Sequence, residues 1–189
     1  MILDLDETLV HTSNSRLPNT DYTFAYSDAR KFNYLVPLLL NMKVYMKLRP
    51  FLNEFLEGVS KKYELILYTA SNPLYADRIL NYIEHSNKYF SHRIYRLQCI
   101  TLPNRLYKPL DFLLSNRSIR DIVIVDNRVQ CFSMNIRNGI PIKSFYGDVN
   151  DKELLKLAEY LDELSRVRDV RKKLLKDFAS YFSSRRCYY

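Results

Sequence analysis

Two stretches of this chain, "ELILYTAS" at residues 64–71 and "DIVIVDN" at residues 121–127, carry apolar and β-branched residues without polar alternation. A strand of that kind is buried on both faces, and such strands belong to parallel sheets covered by helices. Helical patterns lie between and after them. Arg49-Pro50 opens "PFLNEFLEGVSKKY", with Phe51, Phe55, Leu56 and Val59 on one face. Asn72-Pro73 has the cap and first-turn chemistry of a helix start, with Leu74, Ile79, Leu80 and Ile83 as its apolar positions. "DKELLKLAEYLDEL" reads as a long amphipathic helix. "KVYMKL" alternates like a strand, and "SHRIYRLQCITL" and "GIPIKSFYG" each predict a further strand. "LYKPLDFLL" predicts a helix start or turn. This alternation predicts an α/β fold, a doubly wound parallel sheet with helices on both faces, whose ligands bind beyond the carboxyl ends of the strands. The opening strand, Met1 to Leu3, is short for a central one and predicts weak anchoring.

At 189 residues and 47% apolar, the chain has the size of one domain with a core. Acids crowd its first residues where a secretory leader needs bases, so export is not expected. The longest apolar run, "YLVPLLLNM", contains Pro37 and is far short of the roughly 20 residues that span a bilayer. Cys99, Cys131 and Cys187 lack the spacing of a disulfide framework or a zinc site, which fits a reducing compartment. Three glycines leave no GxGxxG or Walker loop. The net charge of +8 is concentrated: Arg166 to Tyr189 holds eight of the 29 bases and two of the 21 acids. Direct nucleic-acid binding is therefore not expected of the folded body. "SNSRLPNTDYTFAYSDARKFNYLVPLLLN" shows neither helical nor strand period and reads as an insertion over residues 13–42.

Three of the predicted strands end in polar residues: Asp4 and Asp6 after the first, Thr69 in "LYTAS", and Asp126 and Asn127 in "VIVDN". Any one acid could be a strand-end cap. Carboxylates that converge in one crevice repel each other by several kcal/mol at an effective dielectric of about 20, so they call for a cation or shifted pKa values. Oxygen donors without His or Cys point to Mg²⁺.

"DLDETLVHT" resembles the DxDxT motif of the haloacid dehalogenase superfamily, in the Fcp/Scp branch of protein phosphatases that act on the C-terminal domain of RNA polymerase II. "LILYTAS", the lysine of "LYKPL", "IVIVDN" and "IPIKSF" resemble the later motifs in order, over nearly all of residues 1–165. The resemblance implies a Mg²⁺-dependent protein serine/threonine phosphatase with an aspartyl-phosphate intermediate. Asp4 would be the nucleophile and Asp6 the general acid and base, with Thr69 and Lys108 on the phosphoryl oxygens and Asp126 orienting Lys108. Mg²⁺ would be held by Asp4, the Asp6 carbonyl and Asn127, and Thr8 would complete the loop. Arg128 and Pro109 depart from the family pattern, predicting an altered pocket rim and a re-aimed lysine loop. The expected partner is a phosphorylated protein or peptide, because the insertion is too small to close over a metabolite.

Other readings stand beside this one. A Dullard/Nem-type phosphatase acting on lipin-type enzymes resembles the chain equally, although that branch usually carries an N-terminal membrane segment; a soluble nuclear or cytoplasmic enzyme is expected. From another class, the import receptor of the mitochondrial inner membrane keeps the fold as a non-catalytic interaction module. "CFSMNIR" places Cys131 and Arg137 at the spacing of cysteine phosphatases, but without the glycines that let a backbone curl around phosphate. His11 reads as a loop residue, and His85 and His92 as surface. Tyr22, Phe24, Tyr26, Phe32 and Tyr34 are either a peptide-binding wall or packing for the insertion. Val167, Val170, Leu174, Phe178 and Tyr181 or Phe182 form an apolar stripe, so residues 166–189 read as a basic amphipathic helix or tail after a phosphatase domain of residues 1–165. That helix either docks on the domain or offers a membrane-surface or partner contact. Oligomeric state is not legible in the sequence.

Overall fold

The computed structural model describes residues 1–26, 42–103 and 105–184. In chain order its strands are β1 (Ile2–Leu3), β2 (Val10–Ser13), β3 (Tyr22–Tyr26), β4 (Met42–Leu48), β5 (Leu65–Tyr68), β6 (Phe90–Ile94), β7 (Ile100–Leu102), β8 (Arg105–Tyr107), β9 (Ile124–Asp126) and β10 (Gly139–Pro141). The α-helices are α1 (Leu52–Ser60), α2 (Pro73–Ile83), α3 (Glu153–Leu164) and α4 (Val170–Ser184). Five strands make one parallel sheet in the order β10-β9-β1-β5-β6.

Successive residues of the central strands point to opposite faces, as the pleat requires. Leu3, Leu67 and Val125 enter one core with Phe55 of α1, Ile79 of α2 and Leu161 of α3. Ile2, Ile66 and Ile124 enter the other, beneath Leu110, Leu113 and Phe132. The second face is covered by 3₁₀ turns, Asp111–Leu113 and Val129–Asn138, instead of long α-helices. Gly139 opens β10 because a Cβ there would lie 2.0 Å from the Phe132 ring. Shortness does not leave β1 weakly anchored. Ile2 N–H donates to Val123 O at 2.7 Å, Asp4 N–H to Val125 O at 3.1 Å, and Ile66 N–H to Met1 O at 2.9 Å, so both edges are paired.

The stretch read as a patternless insertion contains a strand. β2, β4 and β3 form an antiparallel sheet in that order, with Tyr22 opposite Met46 and Val10 opposite Leu48. Phe24 is buried, and Tyr22 stacks on Phe24 and Tyr82 at 5.6 and 4.5 Å, so these two aromatics pack the fold together. Phe32, Tyr34 and the Tyr26 side chain lie outside the described residues. "SHRIYRLQCITL" splits where a 3₁₀ turn, Arg96–Gln98, ends β6, and β7 then pairs antiparallel with β8. In "GIPIKSFYG" only Gly139–Pro141 is strand.

Two of the apolar positions assigned to the inward faces of α1 and α2 face outward. Phe51 is the left-handed N-cap of α1 (φ 65°) and 39% exposed, while Leu52 takes the buried place. On α2 the inward face is Ala76, Ile79, Leu80 and Ile83, and Leu74, about 200° around the helix from Ala76, is 75% exposed. Asn72 caps α2 by accepting from Tyr75 N–H at 3.0 Å, with Pro73 at the first position. α4 lays Val170 and Leu174 into the first core, and Phe182 meets Phe132 edge-on at 6.3 Å.

Candidate active site

The carboxyl ends of β1, β5 and β9 supply Asp4, Thr69 and Asp126, and Lys108 arrives from the segment after β8. The Lys108 ammonium, 1% exposed, donates to Asp4 Oδ1 and Asp126 Oδ2, both at 2.6 Å. Burial alone would lower its pKa, but the charges of Asp126 and Asp4 outweigh that and hold it above the ordinary lysine range. Burial also raises the Asp126 carboxyl, with Lys108 pulling it back. The other oxygen of Asp4 accepts from Thr8 Oγ1 at 3.0 Å, so the carboxylate is oriented from two sides.

Residues 5–10 fold back on themselves to present these groups. Leu5 O accepts from the amides of Thr8, Leu9 and Val10 at 3.3, 2.9 and 3.2 Å, and Glu7 takes the left-handed conformation (φ 58°). The buried Arg49 fastens this turn. Its guanidinium donates to Thr8 O at 2.9 Å, to Lys143 O at 2.7 Å, and to both carboxylate oxygens of Asp151 at 2.9 Å.

Asp6 sits in a different setting. Tyr75 OH donates to Oδ1 at 2.6 Å and Ser71 Oγ to Oδ2 at 2.7 Å, and Tyr75 OH in turn lies 2.7 Å from Thr12 Oγ1. Burial raises the Asp6 pKa most, the Tyr75 bond opposes it, and the charge of Asp4 adds to the rise. Thr69 is fully buried and joins this group through Ser71, whose N–H donates to Thr69 Oγ1 at 3.0 Å. Asn127 is held by Ser144, its Nδ2 donating to Oγ at 3.0 Å. The structure thus joins Asp4 and Asp126 through the Lys108 ammonium, links Asp6 with Thr69 through Ser71, and sets Asn127 beside Asp126 with Ser144 as its partner.

Both departures from the family pattern leave these contacts in place. Arg128 is exposed while its N–H donates to Asp126 Oδ1 at 2.7 Å. Lys108, despite Pro109, bonds both carboxylates, and its backbone N–H reaches Cys131 O at 2.6 Å. Cys131 is 3% exposed and burial pushes its thiol up to about 12, so it is no thiolate nucleophile. His11 approaches Glu7 Oε1 at 3.7 Å and Tyr146 edge-on at 5.5 Å, and His85 and His92 are exposed.

Whether Mg²⁺ fits can be judged from the donors. Among the described residues, no three His, Cys, Asp or Glu side chains are grouped to hold a metal by themselves. Asp4, the Asp6 carbonyl and Asn127 are hard oxygen donors of the kind Mg²⁺ takes alongside waters and phosphate. Lys108 brings one positive charge against the two carboxylates of Asp4 and Asp126, so the cluster has negative charge to spare for a divalent cation. The residues fit.

A parallel sheet with carboxylates and a buried lysine at its carboxyl ends is the arrangement that the resemblance to haloacid dehalogenase-like α/β proteins implies. Residues 1–171 match the family model described as NLI interacting factor-like phosphatase, and the chain belongs to that family. It is 40% identical to the CTD small phosphatase-like protein 2 of Dictyostelium discoideum, over 96% of this chain and 30% of that protein. To the CTD small phosphatase-like protein 3 of Caenorhabditis elegans it is 35% identical, over 97% of this chain and 62% of that one. The chain therefore spans less than two thirds of the curated relatives it matches. A solved structure of the fission yeast RNA polymerase II CTD phosphatase Fcp1 bound to beryllium fluoride has the same fold, with a TM-score of 0.58 and 19% identity over 97% of this chain and 55% of that one.

Proposed function

We propose that this chain hydrolyses phosphoserine or phosphothreonine in proteins through an aspartyl-phosphate on Asp4. The observation that carries the reading is the contrast between two carboxyls on one short segment. Asp4 is flanked by Lys108 and Thr8, whereas Asp6 is flanked by two hydroxyls. In the first step an Asp4 oxygen attacks phosphorus while Asp6 gives its proton to the departing seryl oxygen. In the second, Asp6 takes a proton from water as that water attacks the phosphorus of the aspartyl-phosphate, which restores Asp4. Lys108 offsets charge on the phosphoryl oxygens, and Asp126 keeps the ammonium aimed. Bound at Asp4, the Asp6 carbonyl and Asn127, Mg²⁺ would neutralise the phosphate's approach to the acids. A protein substrate is supported by the family, whose relatives are named as C-terminal-domain small phosphatases. The polymerase tail or a related phosphoprotein is the proposed substrate. Among the described residues no helix is long and apolar enough to cross a membrane.

Hydrolysis of an aryl phosphate, then of phosphoserine peptides, tests this with Mg²⁺ and with chelator. Turnover that needs Mg²⁺ and is lost in a folded Asp4→Asn, but kept in Cys131→Ser, is the expected result. Full activity in Asp4→Asn would remove the mechanism, and a folded wild type inert toward every phosphopeptide would leave the binding-module reading.

A further inference from the structure

At the end of the sheet away from Asp4, α4 and the turn before it border a groove of about 800 Å³ lined by Arg120, Arg168, Arg171, Lys172, Lys173 and Lys176, with Val167, Asp169 and Asp177. Two of these cations are occupied. Arg171 donates from two nitrogens to the Asp169 carboxylate at 3.0 and 2.9 Å, and Lys173 lies 3.0 Å from Asp177. Arg120 reaches Asp169 only at 4.0 Å, and its carbonyl accepts from Val170 N–H at 3.0 Å, which ties the groove's wall to the start of α4. Arg168, Lys172 and Lys176 are exposed and none is in a salt bridge among the described residues, although the neighbouring Asp177 feels the charge of Lys176.

The spacing of these three is regular, each four residues from the next. On α4, Lys172 and Lys176 therefore share a face about 6 Å apart along the axis. Like charges at that spacing destabilise a helix unless a counter-charge covers them. Two residues of extended chain rise about 6.6–6.8 Å, so acidic side chains at alternate positions of an extended peptide fall opposite successive cations. A lipid surface fits less well. The groove is concave, and the apolar stripe of α4 that could insert among acyl chains is turned inward, with Val170 and Leu174 buried in the core. Arg120 lies before the amino end of β9 and Asp126 at its carboxyl end, so none of the residues that line the groove belongs to the candidate active site.

We infer that this groove docks an extended acidic segment of a partner protein, with carboxylates or phosphates on alternate residues meeting Lys172, Lys176 and Arg168. The inference does not depend on the phosphatase reading.

The test uses the full chain and a fluorescein-labelled octapeptide of alternating Asp and Thr, followed by fluorescence anisotropy at low and at physiological salt. Lys172→Glu with Lys176→Glu should weaken binding at least tenfold, whereas Lys88→Glu with Lys152→Glu, two exposed lysines elsewhere with the same change in charge, should leave it within about twofold. An isomer with its four aspartates contiguous should bind more weakly than the alternating peptide. Equal loss in both double variants would reduce the effect to net charge and overturn the inference, as would equal binding of the two isomers. Binding of phosphatidylserine vesicles or a single-stranded oligonucleotide that vanishes in the groove variant, without binding of the peptide, would assign the surface to a membrane or nucleic acid instead. Circular dichroism of each variant establishes that the fold is intact.

Discussion

Asp4 and Asp6 are the same residue type two positions apart, and what separates them is their neighbours. The Lys108 ammonium donates to Asp4 at 2.6 Å and fixes where that carboxylate points, while burial and the charge of Asp4 favour a proton on Asp6. Tyr75 acts on Asp6 without itself meeting phosphate in the proposed mechanism. Its hydroxyl donates to the carboxylate and so favours the charged form, and Tyr75→Phe should raise the Asp6 pKa further. The basic limb of kcat/KM, which reports loss of the acid's proton, should then move to higher pH, and kcat should fall about tenfold as the carboxyl loses its aim. A packing role alone would lower stability and leave the pH limb where it was. The acids of this site were legible because each interrupts an apolar run at a strand end. Lys108 was legible only through the resemblance. Ser71 and Tyr75 carried no local signal as partners of Asp6, since they stand 65 and 69 residues from it in the chain.

Between elements, Arg49 joins the end of β4 to the Asp4–Thr8 turn and to the Asp151 loop before α3. Its sequence context marked only a strand end before a proline, because the partner lies 102 residues away. Removing one member of a buried ion pair leaves an uncompensated charge and costs about 3–5 kcal/mol. Arg49→Met should cost that much in urea unfolding and also slow turnover, because the turn carrying Asp4 loses its fastening. A matched Arg49→Met with Asp151→Leu should recover part of the stability. The Asp151 carboxyl is raised by burial but lowered more by its bonds to Arg49 and the Glu153 amide, so its folded pKa lies below the ordinary aspartate range. A depressed folded pKa stabilises the fold above the unfolded value, and this contribution is lost as pH falls through the folded one. Asp151→Asn should therefore flatten the acid side of the stability curve below about pH 4, leaving the slope above pH 5 unchanged; an unaltered acid slope would mean that the pair is too screened to matter.

At the scale of the whole molecule, the parallel sheet was legible because "LILY" and "IVIVD" can be covered only from both sides, and the antiparallel β2-β4-β3 sheet was not, because Tyr22–Tyr26 alternates over too few residues among turn formers. The end of the domain is the harder boundary. Read from sequence, residues 166–189 are a basic amphipathic segment following a domain of residues 1–165, and the family match ends at residue 171, just inside α4. In the fold, Leu174 is fully buried in the same core as Leu3 and Leu161. We therefore expect α4 to belong to the domain's cooperative unit. Leu174→Ala should cost about 2–5 kcal/mol through lost burial and the cavity it leaves. For a chain of this size that lowers Tm by about 5–15 °C. Aryl-phosphate turnover well below that Tm should persist, because Leu174 touches none of the groups around Asp4. A single calorimetric transition that moves down with the substitution would place α4 in the folded unit, since a helix held independently would melt without shifting the transition of the sheet. An unchanged Tm in Leu174→Ala, matched by an unchanged Tm when the chain is cut after Ser165, would make residues 166–189 a separable tail and return the boundary to where the charge pattern put it.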